Sequence, residues 1–499
     1  MQKTLLGLDI GTNATKGVLF DLSGAELAQA EQAYPLSTPQ PGWAEQDPEQ
    51  VWQAVVSVIQ QVVKQAGSER QIVALALAAQ SGSVIPARAD GTPVYPMITW
   101  LDTRTEALVK QWKAEGLEET VRALSGWLLY PGLPFPNIAW LRQFKPNVFA
   151  ETERFLSVLD FLNQRLTGIF CADLSSATEM QLVDVSTGQW SPELCSLLGL
   201  TPNYLARLEP AGTVVGSITS AAGRLTGLST ETLVVNGGHD QCCTALAMGL
   251  IDPGPVMLAT GTAWVVTGAV EAMSTRDIPP NMNLNFHVAP QRWTISQFLG
   301  GFGASVEWCL NQCWQSAQPT APLSRTELYA HFDEALAHSQ PGCNDLLFLP
   351  LGGSLQVPDG QSQGGFVGLR LDHTRTDMSR AILEGVAFEL RWALETIRQA
   401  GLAVEYLWVA GGATHSPVWP QILADVSGVP ISLTQYAQWP ALGAAILAGA
   451  GAGIFETLNE GIARFQKPPR QLVPDEKSAQ FYGERFAAYK QTAQRLVQP

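Results

Sequence analysis

The chain has 499 residues, too many for one hydrophobic core at about 100–200 residues per domain, so two large domains or several smaller ones are expected. Hydrophobic residues make up 46% and charged residues 15%, a composition that folds and excludes wholesale disorder. Against 30 Lys+Arg stand 45 Asp+Glu, a formal charge of −15 that repels phosphate backbones and argues against nucleic-acid binding. A small phosphorylated ligand in a local site remains compatible with that field.

The seven cysteines, an odd number spread over a long chain, do not read as a disulfide framework. They are expected to be free or buried thiols of a reducing compartment. The N-terminus, MQKTLLGLDIGT, has no long apolar stretch and no small-residue cleavage site, so no signal peptide is expected. The longest apolar run, residues 441–455, is mostly Ala and Gly and falls short of the ~20 residues of a membrane span. A cytoplasmic protein without membrane partners is the expectation.

In chain order, Thr4–Asp21 reads as a hairpin whose apolar arms meet at Gly11-Thr12-Asn13. Residues 50–65 carry Val51, Val55, Val58, Ile59 and Val62 at helical spacing, with Asp47 and Pro48 where an N-cap and first helical residue belong. Ile72–Ala79 is an apolar run of strand length, as for a strand covered on both faces. Strands alternating with helices predict an α/β fold. The pattern then restarts. Val234–Gly238 reads as a strand entering Gly-Gly-His-Asp, and a helix is predicted over Cys242–Leu250. Leu258, Gly261 and Thr262 repeat Leu8, Gly11 and Thr12 at one fixed offset, which reads as an internal duplication with a Gly-Thr turn in each half.

A Gly-Thr turn between strands suits phosphate. Glycine admits close approach, successive N–H groups form an anion-binding concavity, and the hydroxyl adds a donor. Lys16 offers a cation. The same turn is also an ordinary hairpin connection. No Gly-x-x-x-x-Gly-Lys-Ser/Thr run occurs, which excludes a P-loop. Asp9 is an acid inside an apolar strand. It either caps the turn or holds Mg²⁺ beside nucleotide phosphates; the matching position is Ala259, so the turn itself does not require an acid. Asp240, between a strand and a helix, is placed either to accept a substrate proton or to act as a plain N-cap. Gly411-Gly412-Ala413-Thr414-His415-Ser416 follows a strand at Leu407–Ala410 and precedes a helix at Trp419–Ser427, where α/β sheets bind ligands.

Taken together, these segments resemble the FGGY family of carbohydrate kinases, and within it the xylulokinase-like members, from about Leu6 to Phe455. Residues 8–16 resemble its first phosphate motif and residues 42–48 its N-terminal Trp-Xaa-Glu-Gln-Asp-Pro segment. Gly237–Asp240 is similar to the catalytic-aspartate motif and Thr260–Thr262 to the second phosphate motif. Gly364–Leu369 with Asp377–Glu384 resembles a family signature, and Gly411–Asp425 the adenosine motif. The resemblance implies two actin-like ATPase (ribonuclease H-like) α/β domains around a central cleft, expected over 1–245 and 246–499, with the final helices packing back on the first domain. It implies transfer of the γ-phosphoryl of ATP to a small sugar, a ketose such as D-xylulose, or alternatively gluconate, another ketose or a polyol.

The resemblance also assigns roles. Asp240 would be the general base and Asp9 the Mg²⁺ holder. Thr12, Asn13, Lys16, Gly261 and Thr262 would contact phosphates, and Gly303, Gly411, Gly412 and Ser416 the nucleoside. Gln80, Ser81, Gly82, Trp100 and Asp102 would bind the sugar together with Asp240. Xylulokinases carry Met-His after a Gln and glycerol kinases Arg-Glu, whereas this chain has Gln80-Ser81-Gly82-Ser83, which leaves room for a longer substrate. A homodimer is a family-level expectation. A non-catalytic sensor on the same fold would lose one of the acids or add a DNA-binding domain; this chain keeps both Asp9 and Asp240.

Overall fold

A computed structural model describes residues 1–261, 264–315, 323–350, 364–433, 436 and 438–495. The N-terminal apolar run folds as strands β1 (Gln2–Ile10), β2 (Ala14–Asp21) and β3 (Glu26–Ala33), an antiparallel meander in which Asp9 pairs with Lys16 and Ile10 with Thr15. Helix α1 (Pro48–Ala66) starts as its sequence predicts. The Asp47 side chain accepts from the Glu49 N–H, and Pro48 needs no partner in the first turn.

The chain then enters β4 (Arg70–Ala79), parallel to β1. After helix α2 (Val158–Thr167) come β5 (Val214–Ser217) at the sheet edge and β6 (Leu233–His239) parallel to β4. The strand order is β5-β6-β4-β1-β2-β3. Segments between residues 84 and 205 form a side lobe with its own core, including Phe135, Ile138, Leu141 and Phe155.

After helix α3 (Asp240–Ala247), strands β7 (Gly254–Thr260), β8 (Trp264–Val270), β9 (Asn283–Phe286) and β10 (Trp293–Gly300) begin a second sheet. Helices α4 (Phe302–Cys309) and α5 (Arg375–Gln399) lead to β11 (Val404–Gly411), α6 (Trp419–Ser427) and β12 (Ile431–Leu433). Helices α7 (Trp439–Gly451) and α8 (Leu458–Phe465), strand β13 (Arg470–Leu472) and helix α9 (Glu476–Arg495) complete the described chain. The second order is β9-β10-β8-β7-β11-β12-β13. Apart from the extra edge strand β9, it repeats the first sheet strand for strand. Each sheet has an antiparallel meander, two further strands parallel to its first, and an antiparallel edge. The duplication glimpsed at two turns therefore extends through both halves.

The two sheets share a core. Leu6, Leu8 and Ile10 face α1, whereas Leu5, Phe20, Ala74, Ala76 and Ala78 face α3 and α7, which also cover Met257 and Trp408 of the second sheet. Helix α7 is the Ala/Gly-rich apolar run of the sequence, and it is buried along its length from Ala441 to Gly449. Its small residues let it sit directly on a strand: a side chain on Gly7 would lie 1.8 Å from the Ala441 carbonyl. Helix α9 packs instead on the second core, where Tyr482, Phe486 and Tyr489 surround Phe388. No helix among the described residues is long and apolar enough to cross a membrane. All seven cysteines are free thiols, six of them buried.

Candidate active site

Three parallel strands deliver the chemistry-bearing residues to one sheet end. Ile10, Ala79 and His239 stand in register across β1, β4 and β6, so Asp9 and Asp240 flank the end of β4 about 10 Å apart by strand spacing. Gln80-Ser81-Gly82 leaves β4 between them. This is the carboxyl end of the parallel strands, the usual ligand position in such sheets.

No described N–H donates to Asp9, so the turn-capping role is not the one it plays. Its carboxyl is pushed up to about 7, first by burial, then by the facing Asp240 charge, against the lowering influence of Lys16. Burying an acid this way is costly without a cation. One carboxylate plus phosphate oxygens and water is the donor set Mg²⁺ prefers, so the residue fits that ion. Among the described residues no group of three His, Cys, Asp or Glu forms a complete metal cage.

The first turn is braced from outside. Tyr34 donates its hydroxyl to the Gly11 carbonyl, and its N–H donates to the Asn13 carbonyl at 3.1 Å. Gln46 Nε2 donates to the Thr12 carbonyl at 2.6 Å, and the Trp100 indole donates to Thr12 Oγ1 at 3.0 Å. With carbonyls gripped on the outside, the turn is held rigid for a ligand. Asn13 is exposed at its tip.

At Asp240 the strand is deliberately irregular. The β4–β6 register slips between Val235 and Gly238, a bulge that re-aims the residues beyond it. Glycine is required there: a side chain on Gly237 would lie 1.7 Å from the Leu77 carbonyl, and one on Gly238 2.3 Å from Val288. The predicted helix starts two residues earlier than its apolar pattern suggests. Asp240 is its first residue rather than its cap, and the cap, His239, makes no capping hydrogen bond with its side chain. Asp240 is therefore free of the N-cap role. Its Oδ1 lies 3.1 Å from His239 Nε2, and His239 Nδ1 lies 2.9 Å from Glu179 Oε1.

The candidate sugar residues divide. Gln80 Nε2 donates to Gln46 Oε1 at 3.1 Å, leaving Gln80 Oε1 buried without a described partner. Ser81 Oγ reaches the Ser176 carbonyl at 3.3 Å, and Trp100 is 37% exposed. Asp102 is a correction. It is fully buried and accepts from Arg104 Nε at 2.8 Å, Arg104 Nη2 at 2.7 Å and the Ala44 N–H at 2.6 Å. Arg104 also reaches Glu45 and stacks on Trp43. Asp102 thus locks the Trp43 segment to the Trp100 loop and has no oxygen left for a sugar.

The second half repeats the plan. Thr260 pairs with Gly411 across β7 and β11, and Trp264 pairs with Gly300 across β8 and β10. This gathers Gly261, Gly303 near the start of α4, and Gly411-Gly412 at one sheet end. The Thr260 hydroxyl donates to the Ala410 carbonyl at 2.7 Å and accepts from the Ala413 N–H at 3.1 Å, tying the second turn to the Gly-Gly segment. Thr262 lies outside the described residues. Ser416 Oγ donates to Asp333 at 2.6 Å and accepts from the Trp419 N–H at 3.1 Å, so its oxygen serves the start of α6 rather than standing free for a nucleoside.

Glu179 and Tyr34 escaped sequence reasoning, and Thr260 is marked in the sequence only as part of the second phosphate motif. Glu179 sits in an ordinary polar stretch, 60 residues before its partner, with no motif around it.

Residues 4–247 match the N-terminal domain, and residues 260–452 the C-terminal domain, of the FGGY family of carbohydrate kinases. The chain is 30% identical to the L-xylulose/3-keto-L-gulonate kinase of Escherichia coli, over 98% of this chain and 96% of that one. Among solved structures it resembles a xylulose kinase from Rhodospirillum rubrum, with TM-score 0.91, 28% identity and coverage of 99% of each chain. It also resembles a gluconate kinase from Lactobacillus acidophilus, with TM-score 0.91, 25% identity and coverage of 100% and 99%. With both halves matched in order and the paired sheets reproduced, the chain belongs to the FGGY family of carbohydrate kinases and is a sugar kinase.

Proposed function

We infer that the enzyme transfers the γ-phosphoryl group of ATP to a hydroxyl of a small neutral sugar, a ketose such as D-xylulose, with Asp240 as general base. The observation that carries this is the placement of Asp240 beyond a bulged strand end, opposite Asp9 and beside the first Gly-Thr turn, with one oxygen tied to His239. Asp9 holds Mg²⁺ in this reading. When bound, the ion offsets charge on the phosphates and relieves the mutual repulsion of the two acids. Thr12, Asn13, Lys16 and Gly261 cradle the phosphates. Gly303, Gly411 and Gly412 line the nucleoside. Asp240 takes the hydroxyl proton as the new O–P bond forms. Little else is asked of the protein, because a loose phosphoryl transition state is stabilised by position and charge.

A neutral acceptor is favoured by the charges at hand. Among the described residues, Lys16 and His239 are the cations found beside Asp9, Asp240 and Glu179, while Arg104 is neutralised by Asp102 and Glu45. Ser81 and Gly82 are smaller than the Met-His that xylulokinases carry there, and on that ground a hexulose or heptulose is the second reading. ADP release should be measured over ketopentoses, hexuloses, heptuloses, polyols and sugar acids. A ketose should give the highest kcat/KM, and a clear preference for gluconate would overturn the neutral-sugar reading. Asp240→Asn should abolish sugar phosphorylation while ATP still binds; a near wild-type rate would show that the base is another group.

A further inference from the structure

A carboxylate that removes a proton from a sugar works best with one oxygen held and the other free. Asp240, His239 and Glu179 form a chain of that kind: Oδ1 of Asp240 to Nε2 at 3.1 Å, and Nδ1 to Oε1 of Glu179 at 2.9 Å. Side-chain exposure rises along it, 9% at Glu179, 14% at His239 and 29% at Asp240, so the chain runs from the interior to the open site. An imidazole between two carboxylates donates from both nitrogens. Burial alone would keep it neutral, but Glu179 and Asp240 hold its pKa well above the ordinary value. Such a ring has no lone pair to offer as a base. The Cys242 thiol, 3.9 Å from Nδ1, is the other titratable contact.

The backbone of His239 is held as well. Its N–H donates to Ser175 Oγ at 2.9 Å, and Ser175 Oγ donates to Asp173, which caps the one-turn helix Leu174–Thr178. Glu179 stands at the C-terminal end of that helix, where an anion is disfavoured. Local stability therefore does not account for an acid at 179, whereas the imidazolium does. Glu179 Oε2 also borders position 82, 3.6 Å from where a side chain would start, in a place already closed by Leu133 at 2.9 Å and Trp100 at 3.2 Å.

We propose that Glu179 and His239 are positioning residues for phosphoryl transfer: Glu179 fixes the imidazolium, and the imidazolium holds Asp240 Oδ1 so that Oδ2 meets the acceptor hydroxyl. The proposal rests on Asp240 being the base. The hydroxyl proton passes to Asp240 as the sugar O–P bond forms and the β–γ bridging P–O bond breaks. His239 keeps both its protons, and ADP leaves.

The test compares Glu179→Gln, His239→Asn, the double variant and Asp240→Asn, using D-xylulose or the ketose turned over fastest in the screen. Each single variant should lose roughly 10- to 100-fold in kcat with KM for ATP unchanged. The double should be no slower than His239→Asn, because Glu179 acts only through the ring. An ADP-induced rise in Tm, retained in every variant, shows that each still folds. Ring ¹⁵N shifts at pH 7.5 should show His239 doubly protonated in the wild type and no longer so in Glu179→Gln. Unchanged kcat in both single variants with Asp240→Asn inactive would overturn the positioning role alone, as would a loss confined to sugar KM or multiplicative losses in the double. Activity surviving in Asp240→Asn would overturn the base assignment and this inference with it.

Discussion

Asp160, in the first turn of α2, is almost wholly buried, with one carboxyl oxygen accepting from Ser157 Oγ and the other without a described partner. Burial pushes its pKa up to about 7 from 3.8. Between those values the native protein binds a proton that the unfolded chain has released, so stability falls as pH rises from about 4 to about 7. Asp160→Asn keeps the shape and removes the charge. The variant should match the wild type near pH 4 and exceed it by on the order of 4 kcal/mol at pH 8, read from urea midpoints at the two pH values. An equal difference at both would mean that the acid is not the source. Asp9 is disfavoured for the same reason, yet only Asp9 was legible in the sequence. It interrupts an apolar strand two residues before the Gly11-Thr12 turn, whereas Asp160 follows a Ser at ordinary capping spacing. Asp102 misled for a related reason. The family resemblance makes it a sugar candidate beside Trp100, and a sequence cannot show that Arg104 turns back to occupy the acid.

At the scale of elements, α1 was legible because one face is solvated and its valines keep helical spacing. Helix α7 was legible only as an apolar run too short for a membrane, since burial on every side erases the period that would have marked it as a helix. Its glycines serve contact rather than flexibility. A side chain on Gly443 would lie 2.0 Å from the Cys243 carbonyl at the crossing with α3. Alanine gains about 1 kcal/mol in helix propensity there, but overpacking against backbone costs about 1–3 kcal/mol, and α3 carries Asp240 at its start. Gly443→Ala should therefore lower Tm and slow sugar phosphorylation together. A raised Tm would show that α7 and α3 separate easily.

For the whole molecule, the repeat was visible only at two turns because strand order is a property of pairing, not of residue identity. Only at the two Gly-Thr turns did both halves keep the same letters. The halves are nevertheless not independent. The inner face of the first sheet, with Leu5, Phe20, Ala74, Ala76 and Ala78, is covered by α3 and by α7, and α7 enters the chain some 200 residues after β6. Residues 1–247 alone would leave that face without α7, an apolar surface no monomer keeps in water. Met257 and Trp408 of the second sheet would lose the same helices' cover if the halves parted, and Trp408 meets the Trp439 ring at 6.0 Å. The intact chain should thus melt in one calorimetric transition despite its two sheets, and a fragment of residues 1–247 should lack cooperative unfolding by circular dichroism. Two resolved transitions, or a fragment that melts cooperatively, would mean that α7 is a cover laid over a finished core. One transition would mean that α3 and α7 belong to a core that neither sheet completes alone.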